Sequence, residues 1–175
     1  MKVIVLEYPT DADWLAAKQR ALVTAGLSVK NPPTFEWKRD SLEARHSHIR
    51  RLRFGFFIED LPSWVSVHIS RHIHAQPYVR SQRPDRQQDY DRNKAPQDAP
   101  VNMIWDTNAE ELMVVANKRL CAQASPETQA VVREICRQVV SVCPEFDGLL
   151  VPMCEYHGNV CHEMKPCGRF KKAVR

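Results

Sequence analysis

The sequence predicts an α+β fold on three observations. A short run of β-branched residues opens the chain, an aromatic and aliphatic stretch alternates at residues 49–58, and two amphipathic helical patterns occupy residues 107–143. With 175 residues, the chain has room for one domain with a substantial core and little room for a second. We therefore expect a single domain over residues 1–175, with an irregular tail from about residue 150.

The N-terminal region predicts a strand followed by a helix. Residues 2–8 contain four consecutive aliphatic residues and end before Pro9, a pattern typical of a strand. Asp11 or Asp13 is expected to cap the next helix, which ends near Gly26. The alternating stretch at residues 49–58 predicts a second strand.

A second helix is predicted at residues 63–75, with Pro62 in its first turn. At ~100° per residue, this helix would present His68, Arg71 and His72 on one side. Residues 76–100 are polar and contain four prolines, so we expect a long loop there, a feature that is usually functional or disordered.

The two C-terminal helices carry clear start signals. Thr107 with Glu110 matches a capping box, and Ser125 precedes Pro126 at a first helical position. An apolar stripe follows each start, and Pro144 ends the second helix.

Composition narrows the class of partner. The hydrophobic fraction of 43% and the charged fraction of 26% are ordinary for a globular protein, and the net charge of +4 favours small anions over long nucleic acid. Only five glycines occur, without a G-x-G-x-x-G or Walker pattern, so side chains would have to hold any nucleotide. Neither a membrane-length apolar run nor a signal-peptide core is evident, which leads us to expect a cytoplasmic protein.

Six cysteines without a secretory signal predict reduced thiols. Cys154, Cys161, His162 and Cys167 offer the donor types that zinc prefers, but their spacing lacks the usual C-x-x-C pairs. We therefore expect no metal site and keep zinc as an alternative.

The strongest anion-binding chemistry lies at residues 71–86, where four arginines and two histidines occur together. A solvated basic helix end explains such a cluster equally well from composition alone. Its placement on one predicted helical face favours a site for a nucleotide or another phosphorylated ligand.

Several landmarks occur in an order that resembles the flavin-dependent thymidylate synthase (ThyX-type) family. The family signature is an Arg-His-Arg triplet followed by spaced Ser, Asn-Glu, Ser and Arg; Arg71-His72 begins it, and Ser81 and Arg83 fall at its last Ser and Arg. An aromatic strand at residues 54–58 precedes it, and Asn108 and Arg119 lie on the helix pair that follows. The likeness covers about residues 46–168.

The chain departs from the signature at four positions. Ile73 replaces the second arginine, Gln76 the first serine, Tyr78 the asparagine and Val79 the glutamate that helps to hold the pyrimidine nucleotide in the family. The resemblance therefore predicts the fold more directly than it predicts the reaction.

The resemblance implies a homotetramer of α+β subunits with the thymidylate-synthase-complementing-protein fold, a small mixed sheet packed with helices. FAD and dUMP would bind at subunit interfaces. The reaction implied is reductive methylation of dUMP to dTMP, with methylenetetrahydrofolate as carbon donor and NAD(P)H as reductant.

The resemblance also implies roles for individual residues. Arg71 would contact both nucleotide and flavin, while His72 and Asn108 would contact the flavin. For dUMP, His68 would make a polar contact.

The remaining matched residues would also act on dUMP. Ser81 and Arg83 would contact the phosphate of dUMP and the atoms around that phosphate. Arg119 would bind the pyrimidine edge and serve as the catalytic residue through electrostatic activation.

Two alternatives remain open at this level. One is a small zinc- or anion-binding module that contacts nucleic acid through residues 71–92 and the Cys/His tail. The other is a degenerate family member that binds nucleotide without turnover, for which Ile73 and Val79 argue.

Overall fold

A four-stranded antiparallel sheet forms the centre of the protein in a computed structural model that describes residues 1–86 and 90–173. The strands are β1 (Lys2–Glu7), β2 (Arg53–Pro62), β3 (Gln76–Val79) and β4 (Pro100–Asn108). Their order across the sheet is β1-β2-β4-β3, and all three pairings are antiparallel. The expected α+β class is confirmed, although the sheet is antiparallel where a mixed one was expected.

Six helices accompany the sheet in the described residues. They are α1 (Asp11–Val23), α2 (Phe35–Glu43), α3 (Ser63–Ser70), α4 (Ala109–Arg119), α5 (Pro126–Val142) and the short α6 (Met153–Tyr156). Two 3-10 helices, Ser47–Arg51 and Pro144–Phe146, complete the regular structure. No helix in the described part of the chain is long and apolar enough to cross a membrane.

The core lies between one face of the sheet and the helices. Alternate residues of β2 and β4, including Phe54, Phe56, Met103 and Trp105, are completely buried there. This alternation follows from the two-residue period of a strand, which sends successive side chains to opposite faces. Burial of apolar surface at about 25 cal/mol per Å² makes this layer the main source of stability.

The opposite face of the sheet carries an apolar row that crosses all four strands. Ile4 pairs with Phe57, Phe57 with Ile104, and Ile104 with Tyr78. Ile104 and Tyr78 are exposed, and Ile4 and Phe57 are half-buried. Contiguous apolar surface of this kind is typical of a protein contact.

The segment predicted as a loop at residues 76–100 is irregular over residues 80–86 and 90–99, but strands occupy its two ends. β3 begins at Gln76, and β4 begins at Pro100. Both prolines at these starts lie at or next to the first residue of a strand, where a missing N–H is tolerated. Residues 87–89 of the predicted loop lie outside the described residues.

Helix boundaries differ from the predictions at two starts. Thr10, not Asp11 or Asp13, caps α1, while Asp13 completes the capping box as its third residue. Asn108, not Thr107, caps α4, because the side chain of Asn108 accepts the hydrogen bond from the backbone N–H of Glu111. Thr107 is fully buried one residue earlier in β4. Ser125 caps α5 as predicted, with Pro126 as its first residue.

The predicted helix at residues 63–75 ends early, at Ser70. Arg71 has helical dihedral angles as the C-cap, and the chain then turns toward β3. Pro62 precedes this helix as its N-cap rather than lying in its first turn. α2 had no counterpart among the predictions, because Ser41 and Leu42 are its only buried residues and give no stripe.

Candidate functional site

A largely buried chain of hydrogen bonds joins His72, in the turn after α3, to Glu111 and Arg119 of α4. Arg119 donates from Nε to His72 Nε2 at 3.1 Å, and the other ring nitrogen, Nδ1, lies 3.0 Å from Glu111 Oε1. His72 and Glu111 are 9% and 5% exposed, so both would be costly to bury without these partners. His72 and Arg119, which are 47 positions apart in sequence, thus belong to one hydrogen-bonded unit.

The bonding pattern sets the tautomer of His72. Nε2 accepts a hydrogen bond from a guanidinium that cannot give up its proton, so the ring proton resides on Nδ1 and is donated to Glu111. Burial, and then the positive charge of Arg119, lower the pKa of His72, and the hydrogen bond to Glu111 opposes them only in part. The imidazole is therefore neutral near pH 7.

Arg119 is held at the C-terminal end of α4, where a cation also complements the helix dipole. Its Nη2 donates to the carbonyl oxygen of His68 at 2.9 Å. Burial, and then the neighbouring Arg71, lower the pKa of Arg119. Two guanidinium groups held close together favour an anion between them or nearby.

Asn108 contacts this unit through the backbone of Glu111 at the start of α4. Its Oδ1 accepts a hydrogen bond from the backbone N–H of Glu111 at 3.0 Å and so caps α4. The cap orients the first turn of α4, which contains Glu111. Asn108 is 9% exposed, and its amide N–H groups remain as candidate donors to a ligand.

An open cleft of ≈ 510 Å³ lies against this unit. Arg71 and His72 line it, together with Arg45 from the turn after α2. The guanidinium of Arg45 stacks at 4.2 Å on the ring of Tyr156 and hydrogen-bonds to the side chain of Asn117. Cations thus concentrate along one wall of the cleft.

Glu110 and Glu111 also line the cleft and offset part of this positive charge. Glu110 forms a bidentate ion pair with Arg50 at 2.5 and 3.1 Å, and Glu111 is bound to His72. The cleft is suited to an anionic ligand of small-molecule size.

His68 does not join the cleft, although the sequence grouped it with Arg71 and His72. Its ring packs edge-on against Trp64, and its Nδ1 lies 3.2 Å from Thr128 Oγ1. Only its carbonyl oxygen takes part in the site, by accepting from Arg119. The early end of α3 explains the difference, because His68 is helical while Arg71 and His72 follow the turn.

Ser81 and Arg83 lie beyond β3 and are not among the residues that line this cleft. Arg83 makes a bidentate ion pair with Asp85, and its backbone N–H donates to Ser81 Oγ at 3.3 Å. Both ion-pair partners are more than half exposed. The chain itself therefore does not bring this pair to Arg119.

Comparisons with known proteins agree with this fold. The family model described as thymidylate synthase complementing protein matches residues 85–145, which include β4, α4 and α5. The resemblance to the ThyX-type family is confirmed. A search of curated proteins gave no significant match.

Two solved structures of ThyX from Helicobacter pylori share the fold. One, with FAD and dUMP, has 15% sequence identity and a TM-score of 0.67 over 86% of this chain and 99% of its own. The other, also complexed with FAD and dUMP, has 15% identity and a TM-score of 0.65 over 86% and 98% of the two chains. At this identity, the likeness establishes the ThyX fold, and the ligands are those of the Helicobacter proteins.

The four departures from the family signature fall at exposed positions. Ile73 is 85% exposed, and Gln76, Tyr78 and Val79 belong to β3 at the edge of the sheet. Tyr78 and Val79 pair across strands with Ile104 and Met103. These positions therefore contribute surface to the chain rather than to its core.

Sequence reasoning missed Glu111 and Arg45. A signal for Glu111 existed, since a carboxylate among the buried residues of a helix requires a partner. Arg45 gave no comparable signal, because its place depends on a left-handed backbone turn with φ of 50° after α2.

The cysteines do not form a metal site. Within residues 1–86 and 90–173, no three His, Cys, Asp or Glu side chains are grouped closely enough to hold a metal ion. Burial raises the pKa of the Cys136 and Cys143 thiols to about 12, so both behave as small apolar residues. Cys121, Cys154, Cys161 and Cys167 are also free.

Proposed function

We propose that this protein is a FAD-dependent thymidylate synthase that converts dUMP to dTMP. Methylenetetrahydrofolate would supply the carbon, and NAD(P)H would supply the electrons. The observation that carries the proposal is the Arg119–His72–Glu111 unit beside Arg71. Arg71 and His72 of this group match the start of the family signature, and Arg119 matches the helix pair that follows it. We also propose a cytoplasmic location, as the sequence suggests.

The residues around the cleft fit FAD as a ligand held by side chains. Arg71 and Arg45 line the cleft and supply guanidinium donors for phosphates. Asn108 lies at the start of α4, outside the lining residues, and its amide would supply a neutral donor to a part of the ligand beyond the cleft. No glycine-rich cradle is present in the sequence, so side chains must perform this binding. When bound, the flavin supplies the redox chemistry.

Arg119 would act on the pyrimidine ring. As the ring becomes nucleophilic at C5, negative charge develops on its carbonyl edge, and a fixed guanidinium stabilises that charge. Nε and Nη2 hold Arg119 against His72 and His68, which leaves the Nη1 donors for a ligand. No nucleophilic side chain is required by this chemistry.

Glu111 would be a positioning residue. Its carboxylate accepts the Nδ1 proton of His72, and this bond presents Nε2 as an acceptor to Arg119. The guanidinium is thereby pre-oriented before any ligand arrives. Groups fixed in advance in this way contribute more than groups that must reorganise during the reaction.

A homotetramer would complete the site. The apolar row Ile4–Phe57–Ile104–Tyr78 offers a surface for subunit contact, and the exposed Arg83 beyond β3 would reach a ligand in a neighbouring subunit. dUMP would then be bound by Arg119 of one subunit and by the phosphate-binding residues of another.

The second candidate is a family member that binds nucleotide without turnover. It is favoured by one observation: Ile73, Tyr78 and Val79 place apolar side chains where the family signature has arginine, asparagine and glutamate. No observation favours the earlier alternative of a nucleic-acid module with bound zinc. Among the described residues, no three His, Cys, Asp or Glu side chains are grouped to hold a metal ion.

A turnover assay separates these candidates. Purified protein would be incubated with FAD, dUMP, methylenetetrahydrofolate and NADPH, and dTMP would be measured by chromatography. We expect dTMP that depends on both FAD and dUMP. Binding of dUMP without dTMP would support the second candidate, and absence of both binding and product would overturn the proposal.

A further inference from the structure

A second pocket, of ≈ 690 Å³, opens between α1, α2 and the first 3-10 helix. Its walls include Arg20, Trp37, Asp40, His46 and His48, and it shares no lining residue with the cleft beside His72. The volume falls in the range of about 300–1,000 Å³ that is usual for small-molecule sites.

Three aromatic rings stack in this pocket. Trp37 and His48 have ring centroids 5.2 Å apart at an interplanar angle of 25°, and His48 and His46 are 5.8 Å apart at 18°. Lys18 lies 5.6 Å from the Trp37 ring centroid. His46 is exposed, so a planar group can extend the stack at its end.

The middle ring has an unsatisfied polar atom. His48 Nε2 is buried and has no hydrogen-bond partner among the described residues. Burial, and then the neighbouring His46, lower the pKa of His48, so the ring is neutral near pH 7. A buried nitrogen without a partner carries a free-energy cost. His48 acts in the pocket as the ring that supports His46 from behind, and the exposed face for a ligand is that of His46.

Arg20 offers a binding group for an anion on the ligand. Arg20 is exposed at one wall of the pocket. Its Nη1 donates to the carbonyl oxygen of Ala16, and its Nε and Nη2 groups can donate to a bound anion. Asp40 is the one carboxylate among the lining residues, and it provides an acceptor for a ring amine. Aromatic stacking and a single guanidinium are complementary to a nucleotide-like molecule.

We propose that this pocket binds a small planar heteroaromatic molecule that carries an anionic group. The ring stacks on the His46 end of the Trp37–His48–His46 column, and Arg20 binds the anion. This site is separate from the cleft and does not depend on the proposed synthase activity.

Adenosine 5′-monophosphate is a suitable probe, with adenosine and ribose 5-phosphate as its two halves. Calorimetry with the full chain should show that the monophosphate binds at least about tenfold more tightly than either half, since each half loses one interaction. Arg20→Gln should lower the affinity for the monophosphate to that for adenosine. His46→Ala should weaken both ring-containing probes.

Both substitutions are at exposed positions, so the fold should be kept, and thermal melting checks this. Arg137→Gln, at an exposed arginine of α5 that lines neither the pocket nor the cleft, is the control and should leave binding of the monophosphate unchanged. The proposal is overturned if the monophosphate does not bind, or if both pocket variants bind it like the wild type. It is also overturned if His46→Ala changes the oligomeric state while no probe binds, because the pocket would then be a subunit contact.

Discussion

The two ends of the signature segment at residues 71–83 differ in how the chain holds them. At the first end, His72 is 9% exposed and lies between Glu111 and Arg119. At the second end, Arg83 is more than half exposed and pairs with its near neighbour Asp85. Both ends match the family signature, but only the first is organised within the chain.

The difference shows which site residues the fold of one chain can hold in place before a ligand or another subunit binds. Buried polar groups must be satisfied by the fold, so the first end is fixed in geometry before any ligand binds. Exposed charges are satisfied by water and by local pairs, so the second end depends on a ligand or another subunit for its place. Mutations at the two ends should therefore have different signatures.

The largest effect is expected at Arg119. Arg119→Ala should lower dTMP formation by about 100-fold or more, because a main charge-stabilising donor is lost. The matched control is Arg137→Ala, an exposed arginine of α5 that pairs with Glu134. Steady-state kinetics measure both, and an Arg119→Ala enzyme within about tenfold of the wild type would remove Arg119 from the chemistry.

A smaller effect, confined to binding, is expected at the second end. Ser81→Ala combined with Arg83→Ala should weaken dUMP binding about tenfold while FAD stays bound, because charge-assisted phosphate contacts are lost. Stability should hardly change, since the Arg83–Asp85 pair is exposed. Calorimetry that finds unchanged dUMP affinity would refute the phosphate assignment.

Asn108 tests whether the organised end also binds flavin. Asn108→Ala should lower the free energy of unfolding by about 1 kcal/mol, because the cap of α4 is lost. Asn108→Ser keeps a capping oxygen and should restore most of that stability, yet both variants should bind FAD more weakly. If Asn108→Ser binds FAD like the wild type, then Asn108 is only a cap.

The smallest effect concerns pH. The folded protein lowers the pKa of His72 below its usual value of about 6.5, so the unfolded chain binds the proton more readily. The contribution of neutral His72 to the free energy of unfolding should therefore be complete above about pH 6.5. It should decrease as the pH falls from there toward the pKa of His72 in the folded protein. His48, whose pKa is also lowered, adds a share of the same sign.

Urea unfolding between about pH 7 and pH 5 measures this dependence. His72→Asn should flatten the decline, and Glu111→Gln should extend it to lower pH, because Glu111 raises the pKa of His72. An unchanged pH slope in His72→Asn would contradict the buried neutral imidazole.

The sequence predicted much of the arrangement around His72, at the first end of the signature segment, and less of the sheet. Arg71, His72, Asn108 and Arg119 were identified from their order, and the structure brings them together around α3 and α4. His68 was wrongly grouped with them, because helix periodicity was extended beyond Ser70. A turn that depends on tertiary contacts does not alter local periodicity.

β4 was missed although its pattern was present. Val101, Met103, Trp105 and Thr107 are buried while the residues between them are more exposed, which is the two-residue period of a strand. The prolines and charges of residues 84–100 favoured a loop over the whole segment. β3, with only four residues, is set by its pairing with β4 and has no signal of its own.

The most direct test is a visible spectrum of the purified protein, recorded with and without added FAD and then during a dUMP titration. The account predicts an absorbance band near ~450 nm from bound flavin, which dUMP perturbs in the wild type and Arg137→Ala but much less in Arg119→Ala. A protein that takes up no FAD, or a flavin band that dUMP leaves unchanged in every variant, would contradict a flavin and nucleotide site organised by Arg119 and His72.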